Sequence, residues 1–147
     1  PTVCRAWAVA GDTGVVTDFD PPDPPLSTGR ILLRPFRVSD AAAVARACQD
    51  PDIPRFTMMP ASMTEADARV WIEQGLEWWP KGVARFAITL PPADDCVGQI
   101  GVQFDLAVRR AEAFYWLAAE ARGAGVASEA LELVTSWVFD GFDVARV

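Results

Sequence analysis

The sequence contains no histidine, only three cysteines and a single tyrosine among its 147 residues. A Ser-His-Asp or Cys-His mechanism needs an imidazole, so both classes of nucleophilic catalysis are excluded. Cys4, Cys48 and Cys96 form no CxxC pair, and without histidine the ligands of a zinc site are lacking, so we expect no metal. We interpret Cys48 and Cys96 as small buried apolar residues. Scattered cysteines also suit a reducing cytoplasm, the location we expect, better than a disulfide framework.

Long apolar runs and basic clusters are lacking as well. No run of about 18 apolar residues occurs, so we expect neither a membrane span nor a membrane partner. The N-terminus has no basic segment followed by a long apolar run, the pattern of a secretory signal. The net charge is −7 at pH 7 and no basic cluster occurs beyond Arg109-Arg110, which argues against a nucleic-acid partner. An acidic surface favours cationic partners such as amines.

Residues 1–29 differ in character from the rest of the chain. The segment Asp20-Pro21-Pro22-Asp23-Pro24-Pro25 cannot form a helix or a central strand, and it predicts an extended linker. Before it, residues 6–16 fit either a short strand or a disordered arm. We therefore divide the chain into an N-terminal extension with a Pro-rich linker over 1–29 and one domain over 30–147, which is large enough for its own core.

Apolar periodicity and capping signals predict the order β-α-α-β-β-β-α-β over residues 30–147. The predicted strands lie at 30–36, 83–90, 96–104 and 112–117, and a last strand begins at 144–147. The predicted helices lie at about 40–49 after Ser39, at 64–79 behind a Thr64/Asp67 capping box, and at 125–140. Residues 52–63 are predicted to form a loop.

The stretch from Glu112 to Leu131 is the most informative part of the sequence. Its pattern predicts an extended aromatic strand, a turn of small residues opened by Arg122, and the first turn of a helix. Small residues let backbone N–H groups approach a ligand closely, and the positive end of the helix dipole favours a phosphate. Arg122 adds a positive charge at the same place. The turn therefore predicts a cradle for a pyrophosphate.

This turn and the order of the elements resemble the GNAT superfamily of acyl-CoA-dependent N-acyltransferases, and most closely its RimJ/RimL-like branch. Arg122 to Ala127 matches the superfamily turn Gln/Arg-x-x-Gly-x-Gly/Ala, although Ala119 replaces the usual proline before it. The remaining likeness is carried by Arg30-Ile31-Leu32-Leu33-Arg34-Pro35-Phe36, Asp40 and Asp50-Pro51-Asp52. The resemblance implies a GNAT fold of the α/β (α+β) class, with a mixed, mostly antiparallel central sheet flanked by helices.

The resemblance also implies an N-acetyltransferase with acetyl-CoA as co-substrate. The acetyl group would pass by direct attack to a primary amine, either a protein N-terminus or a small molecule. Backbone N–H groups near residues 116–118, where the strand of this family carries a bulge, would polarise the thioester carbonyl. The cofactor-binding residues are then Trp116, Leu117, Ala118, Arg122, Gly123, Ala124, Gly125, Val126, Ala127 and Ser128.

Few residues remain for proton transfer and for the acceptor. Glu112 is the candidate base, acting through a water, with a solvated strand-edge carboxylate as the alternative. Tyr115 is the second catalytic candidate, although we expect its ring to pack in the core rather than to line the cleft. Phe56, Met58 and Trp79 are the candidate acceptor contacts, but Trp79 also belongs to an apolar helix stripe with Trp71 and Trp78.

Other interpretations of the same turn stay open. Gly123 to Ser128 is similar to the dinucleotide fingerprint, but it follows three other strands instead of opening a first βαβ unit. A glycine-rich helix start without any ligand is a further alternative. Among functions, a non-catalytic CoA-binding or interaction module with a degenerate GNAT fold competes with the enzyme.

The fold of this family continues beyond its third helix, so we expect the chain to be incomplete at its C-terminal end. Four extended residues reach only about 13 Å and cannot form the second wall of a cofactor cleft. An open strand edge favours pairing with a second chain, which makes a homodimer a candidate assembly. We also expect an exposed apolar patch on the last helix, formed by Val126, Leu131, Val134, Trp137 and Val138.

Overall fold

The computed structural model describes residues 19–147, so the expectations for Cys4 and for residues 6–16 lie outside its range. The strands of this range are β1 (Leu26–Ser27), β2 (Leu32–Pro35), β3 (Val83–Thr89), β4 (Gly98–Asp105) and β5 (Arg110–Leu117). Its helices are α1 (Ala41–Ala47), α2 (Asp52–Phe56), α3 (Glu65–Leu76) and α4 (Val126–Gly141).

The strands form one antiparallel sheet in the order β1-β2-β3-β4-β5. Beyond β5, Arg146 forms a parallel bridge to Arg110, and the N–H of Ala111 donates to the Arg146 carbonyl at 3.0 Å. The strand predicted at 144–147 is therefore reduced to a single bridge. The mixed, mostly antiparallel sheet with helices around it is confirmed.

Helices cover both faces of the sheet because successive residues of its central strands place apolar side chains on both faces. Phe86 and Ile88 point to one face, where they join a buried cluster with Val134 and Val138 of α4. Ala87 and other residues face the opposite side, in a second cluster with α1 and α3. The described part of the molecule thus has three layers, with the sheet in the middle.

The apolar face of α4 is buried, so the expected exposed patch is wrong. Val126, Val134 and Val138 are at most 3% exposed, and the Trp137 ring packs against Phe86 at a centroid distance of 5.5 Å. Leu131, at 37% exposed, is the most exposed of the residues named for the patch. The prediction failed because α4 packs directly onto β4 and β5.

Two further elements differ from the sequence prediction. Residues 52–56 form the short helix α2 instead of a loop, since Pro54 lies in the first turn, where a missing N–H breaks no helical hydrogen bond. The end of the predicted linker forms β1 on the edge of β2, and Phe19 is 7% exposed and stacks on Phe142. Part of the N-terminal extension therefore belongs to the core.

A buried ion pair fixes the corner between β2 and α1. Arg34 is 3% exposed and donates to both carboxylate oxygens of Asp40, itself 4% exposed, at 2.9 Å each. Its Nε also donates to Asp94 Oδ1 at 2.8 Å, in the loop before β4. The hydrogen bonds that Arg34 donates to Asp40 raise the pKa of Arg34, and the one that it donates to Asp94 lowers the pKa of Asp94. The arginine is therefore permanently charged and holds two loops together.

Replacement of Thr64 by alanine should lower the free energy of unfolding by about 1 kcal/mol. The Thr64 hydroxyl accepts from the N–H of Asp67 at 3.1 Å, and the Asp67 carboxylate accepts from the N–H of Thr64 at 3.0 Å, which is the predicted capping box. Urea titration followed by circular dichroism measures the change. Ser136→Ala, at an exposed position in the middle of α4, is the control and should not lower stability, because alanine is the better helix former. An equal loss in both variants would contradict the cap.

Candidate functional site

A cleft of about 330 Å³ opens between the end of β5 and the start of α4. It is lined by Tyr115, Leu117, Arg122, Gly123, Gly125, Val126, Ala127 and Ser128. The structure thus brings together all of the predicted cofactor residues except Trp116, Ala118 and Ala124. A volume of this size falls within the range of small-molecule sites.

The first turn of α4 presents backbone donors to this cleft. Gly125 is the residue that caps the helix, at φ 78°, a left-handed conformation that favours glycine. Having no side chain, it cannot satisfy the N–H groups of the first turn as serine or aspartate would. The N–H groups of Val126, Ala127 and Ser128 have no helical acceptor at this end. They remain available to an anion, in the positive field of a 16-residue helix.

Arg122 is held by the protein rather than pointing freely into the cleft. Its Nε and Nη2 both donate to the Leu117 carbonyl, at 3.0 and 2.9 Å, and Nη2 also donates to Asp50 Oδ2 at 2.8 Å. The pKa of Asp50 is lowered first by the N–H of Asp52 and then by Arg122. Arg122 lines the cleft, where a positive charge was expected, but its guanidinium already pairs with the carboxylate of Asp50.

A second arginine stands beside the helix start. Arg30 donates from Nη2 to the Ala124 carbonyl at 2.6 Å and from Nε to Glu129 Oε2 at 2.7 Å. The Thr28 hydroxyl donates to the other oxygen of Glu129, and this bond, followed by Arg30, lowers the pKa of Glu129. Arg30 thereby neutralises the acidic side chain of the first turn. An anion approaching Gly125 therefore meets the Glu129 carboxylate already paired.

The backbone of β5 differs from the expectation. Its register with β4 runs without interruption from Asp105–Arg110 to Gly98–Leu117, so the predicted bulge is absent from this pairing. The N–H of Ala118 donates to Val97 on the β4 side, whereas that of Ala111 points to the opposite edge. Because successive N–H groups of a strand point to opposite edges, the N–H of Trp116 points to β4, as that of Ala118 does. Only Leu117, of the three residues predicted to polarise the carbonyl, directs its N–H away from β4.

The two catalytic candidates lie on opposite faces of β5. Tyr115 is 50% exposed and lines the cleft on the α4 side, which corrects the expectation of a core ring. Glu112 is exposed and lies on the other face, opposite Gln103 of β4. Three residues of strand separate the two by about 10 Å. The structure therefore does not bring their side chains together.

The three acceptor candidates differ in how far their side chains are exposed. Phe56 and Met58 are 74% and 70% exposed, at the end of α2 and just beyond it. Trp79 is 3% exposed, and its ring packs edge-on against Phe86 at 5.1 Å. Trp79 is therefore a core residue, which corrects its place among the acceptor contacts. The helix ends at Leu76, so the predicted stripe continues into the following turn instead of along the helix surface.

Sequence reasoning missed the partners that organise the cleft. Arg30 and Asp50 stood only in segments that carried the family likeness, and neither segment indicates a contact with the turn around Arg122. Their contacts span 94 and 72 positions of chain. Among residues 19–147, no three His, Cys, Asp or Glu side chains are grouped so as to hold a metal ion. No helix of this range is long and apolar enough to cross a bilayer.

Comparisons with known proteins give a consistent result. Residues 30–147 match the family described as acetyltransferase (GNAT) domain. The uncharacterized N-acetyltransferase p20 of Bacillus licheniformis is 27% identical over 124 residues, which are 83% of this chain and 70% of that protein.

Two solved structures share the fold. A candidate ribosomal-protein-serine acetyltransferase from Vibrio cholerae has a TM-score of 0.72 at 19% identity, over 82% of this chain and 70% of that one. RimL, a ribosomal L7/L12 alpha-N-protein acetyltransferase in complex with coenzyme A, has a TM-score of 0.62 at 20% identity, over 82% and 69%.

Proposed function

This chain belongs to the GNAT acetyltransferase family, and from that premise we propose that it transfers the acetyl group of acetyl-CoA to a primary amine by direct attack. The observation that carries the proposal is the start of α4, where a glycine cap leaves backbone N–H groups open to the cleft. A phosphate is the ligand that such donors favour. The closer likeness to the RimJ/RimL-like branch is part of the proposal.

The residues of the cleft suit the pyrophosphate and the adjoining arm of acetyl-CoA. The pyrophosphate would lie on the N–H groups of Val126, Ala127 and Ser128, with Gly123 and Gly125 permitting its close approach. A side chain added at Gly123 would meet nothing within 4 Å, so this space is open. The arm would follow the edge of β5 that faces away from β4, where Leu117 offers an N–H.

Acetyl-CoA supplies an activated thioester, and the residues of β5 arrange its reaction with the amine. The Leu117 N–H would donate to the thioester carbonyl, where negative charge develops. The acceptor nitrogen bonds to the carbonyl carbon while the carbon–sulfur bond breaks. Glu112 would accept the ammonium proton through water on one face of β5 before the attack. On the other face the Tyr115 hydroxyl would give a proton to the sulfur, and the second proton lost by the nitrogen would return to Tyr115 through water.

The chemistry of the site favours an α-amino group as acceptor. Deprotonation of a lysine-type amine at pH 7 costs roughly 4.6 kcal/mol, whereas an α-amino group with a pKa of about 7.7–8 costs only about 1 kcal/mol. A base that acts through water across a strand suits the smaller requirement. RimL acts on the α-amino group of a ribosomal protein. We therefore place protein N-termini first and small-molecule amines second.

The direct test measures thiol release from acetyl-CoA with a panel of acceptors. The panel contains tetrapeptides that begin with serine, alanine, threonine or methionine, the same peptides with an acetylated N-terminus, spermidine and free lysine. Turnover with free N-termini but not with blocked ones supports the proposal. Calorimetric binding of acetyl-CoA without turnover of any amine would favour the non-catalytic CoA-binding module. No binding at all would remove both.

Replacement of Glu112 by glutamine should lower kcat for a peptide N-terminus about five- to tenfold at pH 7. That factor is the ratio of charged to neutral α-amino groups at this pH, and it is the gain that a base can supply by removing the ammonium proton. The dissociation constant of acetyl-CoA should stay unchanged, because Glu112 lies on the other face of β5. Glu120→Gln, an exposed carboxylate after β5, is the control. A wild-type kcat for Glu112→Gln would make Glu112 a solvated carboxylate without a catalytic role.

A further inference from the structure

An ion pair ties the cofactor cleft to a turn that does not line it. Asp50 lies between α1 and α2, and its Oδ2 accepts from Arg122 Nη2 at 2.8 Å. Its other oxygen, Oδ1, accepts from the N–H of Asp52, the first residue of α2, at 3.0 Å. One carboxylate therefore connects the start of α2 with the arginine of the cleft.

The arginine in this connection has a defined position. Two of its nitrogens bind the Leu117 carbonyl at the end of β5, so the planar guanidinium is oriented before it meets Asp50. A guanidinium held in this way imposes direction on its partner, which an ammonium would not do. Arg122 thereby fixes the position of Asp50 relative to Leu117, the last residue of β5. The N–H of Leu117 is the group that would polarise the thioester.

The segment attached to Asp50 carries the exposed apolar side chains. Phe56 and Met58 are largely exposed, while Ile53 and Met59 are 3% and 8% exposed and hold the segment on the core. Exposed aromatic and methionine side chains at the end of a short helix and in the loop after it are typical of binding surfaces. The orientation of this surface relative to β5 depends on the turn at Asp50.

We propose that Asp50 is a positioning residue for the acceptor. Through Arg122 it fixes the position of α2 relative to the end of β5. Phe56 and Met58 are then placed so that the acceptor amine reaches the thioester carbonyl. This inference rests on the proposed function. Arg122 accordingly acts on the acceptor side of the reaction as well as lining the cofactor cleft.

Replacement of Asp50 by asparagine tests the connection. Asparagine keeps an oxygen for the N–H of Asp52 and removes the charge that pairs with Arg122. We expect the KM of the best acceptor in the panel to rise about two- to fivefold, the range of an exposed ion pair. The dissociation constant of acetyl-CoA should change less than about twofold. Asp143→Asn removes a comparable pair with Arg109 at the other end of β5 and should change neither value.

A double-mutant cycle shows whether the effect passes through Arg122. Glutamine at position 122 can still donate to the Leu117 carbonyl but has no charge for Asp50. In the Arg122→Gln background, Asp50→Asn should raise the acceptor KM no further. Additive effects, or an unchanged acceptor KM in Asp50→Asn, would overturn the inference. A variant whose main change is tighter acetyl-CoA binding would assign Asp50 to the cofactor and overturn it as well.

Amide hydrogen exchange tests the connection without turnover. The N–H groups of Arg55 and Thr57 bond within α2, to the carbonyls of Pro51 and Ile53. We expect both to exchange faster in Asp50→Asn, with the amides of β3 unchanged. Unaltered exchange in α2 would overturn the positioning role. Absence of acetyl-CoA binding by the wild-type protein would overturn the proposed function alone, which keeps the two failures distinguishable.

Discussion

Replacement of Gly125 by valine is expected to weaken acetyl-CoA binding at least about tenfold. Gly125 has φ 78°, a conformation that a β-branched residue avoids, so the helix start must move. A side chain there would also contact the Arg30 guanidinium, 3.6 Å from the position of its Cβ. Loss of a single N–H bond to a charged phosphate costs about 1.5–3 kcal/mol, which corresponds to a factor of roughly 12–160. Isothermal titration calorimetry with acetyl-CoA measures the change.

The matched control is Gly141→Val at the other end of α4. A side chain there meets nothing within 4 Å, and the backbone is not left-handed, so binding should be unchanged. Gly125→Ala brings the backbone strain without the branched side chain and should fall between wild type and valine. Thermal unfolding of each variant verifies that the domain remains folded. Wild-type affinity in folded Gly125→Val would remove the phosphate cradle.

Replacement of Arg34 by methionine is expected to destabilise the protein by about 3–5 kcal/mol. Asp40 is 4% exposed, and both of its oxygens bond Arg34. Without the guanidinium, its charge would be left in an apolar corner with only the N–H of Arg37 as donor among the described contacts. Methionine fills a similar volume, so the loss reports on charge rather than on a cavity. Denaturant unfolding measures it.

Two further variants separate the causes. Arg109→Met breaks an exposed pair with Asp143 and should change stability by less than about 1 kcal/mol. Addition of Asp40→Leu to Arg34→Met removes the stranded charge and should recover much of the stability, since apolar replacements of buried pairs are often tolerated. Equal losses for Arg34→Met and Arg109→Met would show that the buried pair has no special weight.

Local signals predicted most of the fold correctly. Thr64 and Asp67 cap α3 as their spacing indicates, and the strands near 83–90 and 112–117 appear within a few residues of the prediction. These features depend on neighbours in sequence, so periodicity and capping suffice to find them. The glycine turn before α4 belongs to the same class, because a helix cap and a positive φ are local properties.

Contacts between distant segments could not be predicted in this way. Tyr115 faces the cleft and Glu112 the opposite side because pairing with β4 sets the phase of β5, and one residue of shift would exchange their faces. Trp79 is buried because Phe86 and Trp137 surround it, which no helical stripe indicates.

The sequence by itself determined where a glycine turn with open backbone donors occurs and which elements flank it, since backbone donors at a helix start follow from residue type and spacing. The tertiary structure alone decided what charge that turn presents. Arg122 pairs with Asp50, and Arg30 neutralises Glu129, across 72 and 99 positions of chain. Coulombic pairing depends on distance in space, and only the packing of the sheet and helices brings these charges within hydrogen-bond range.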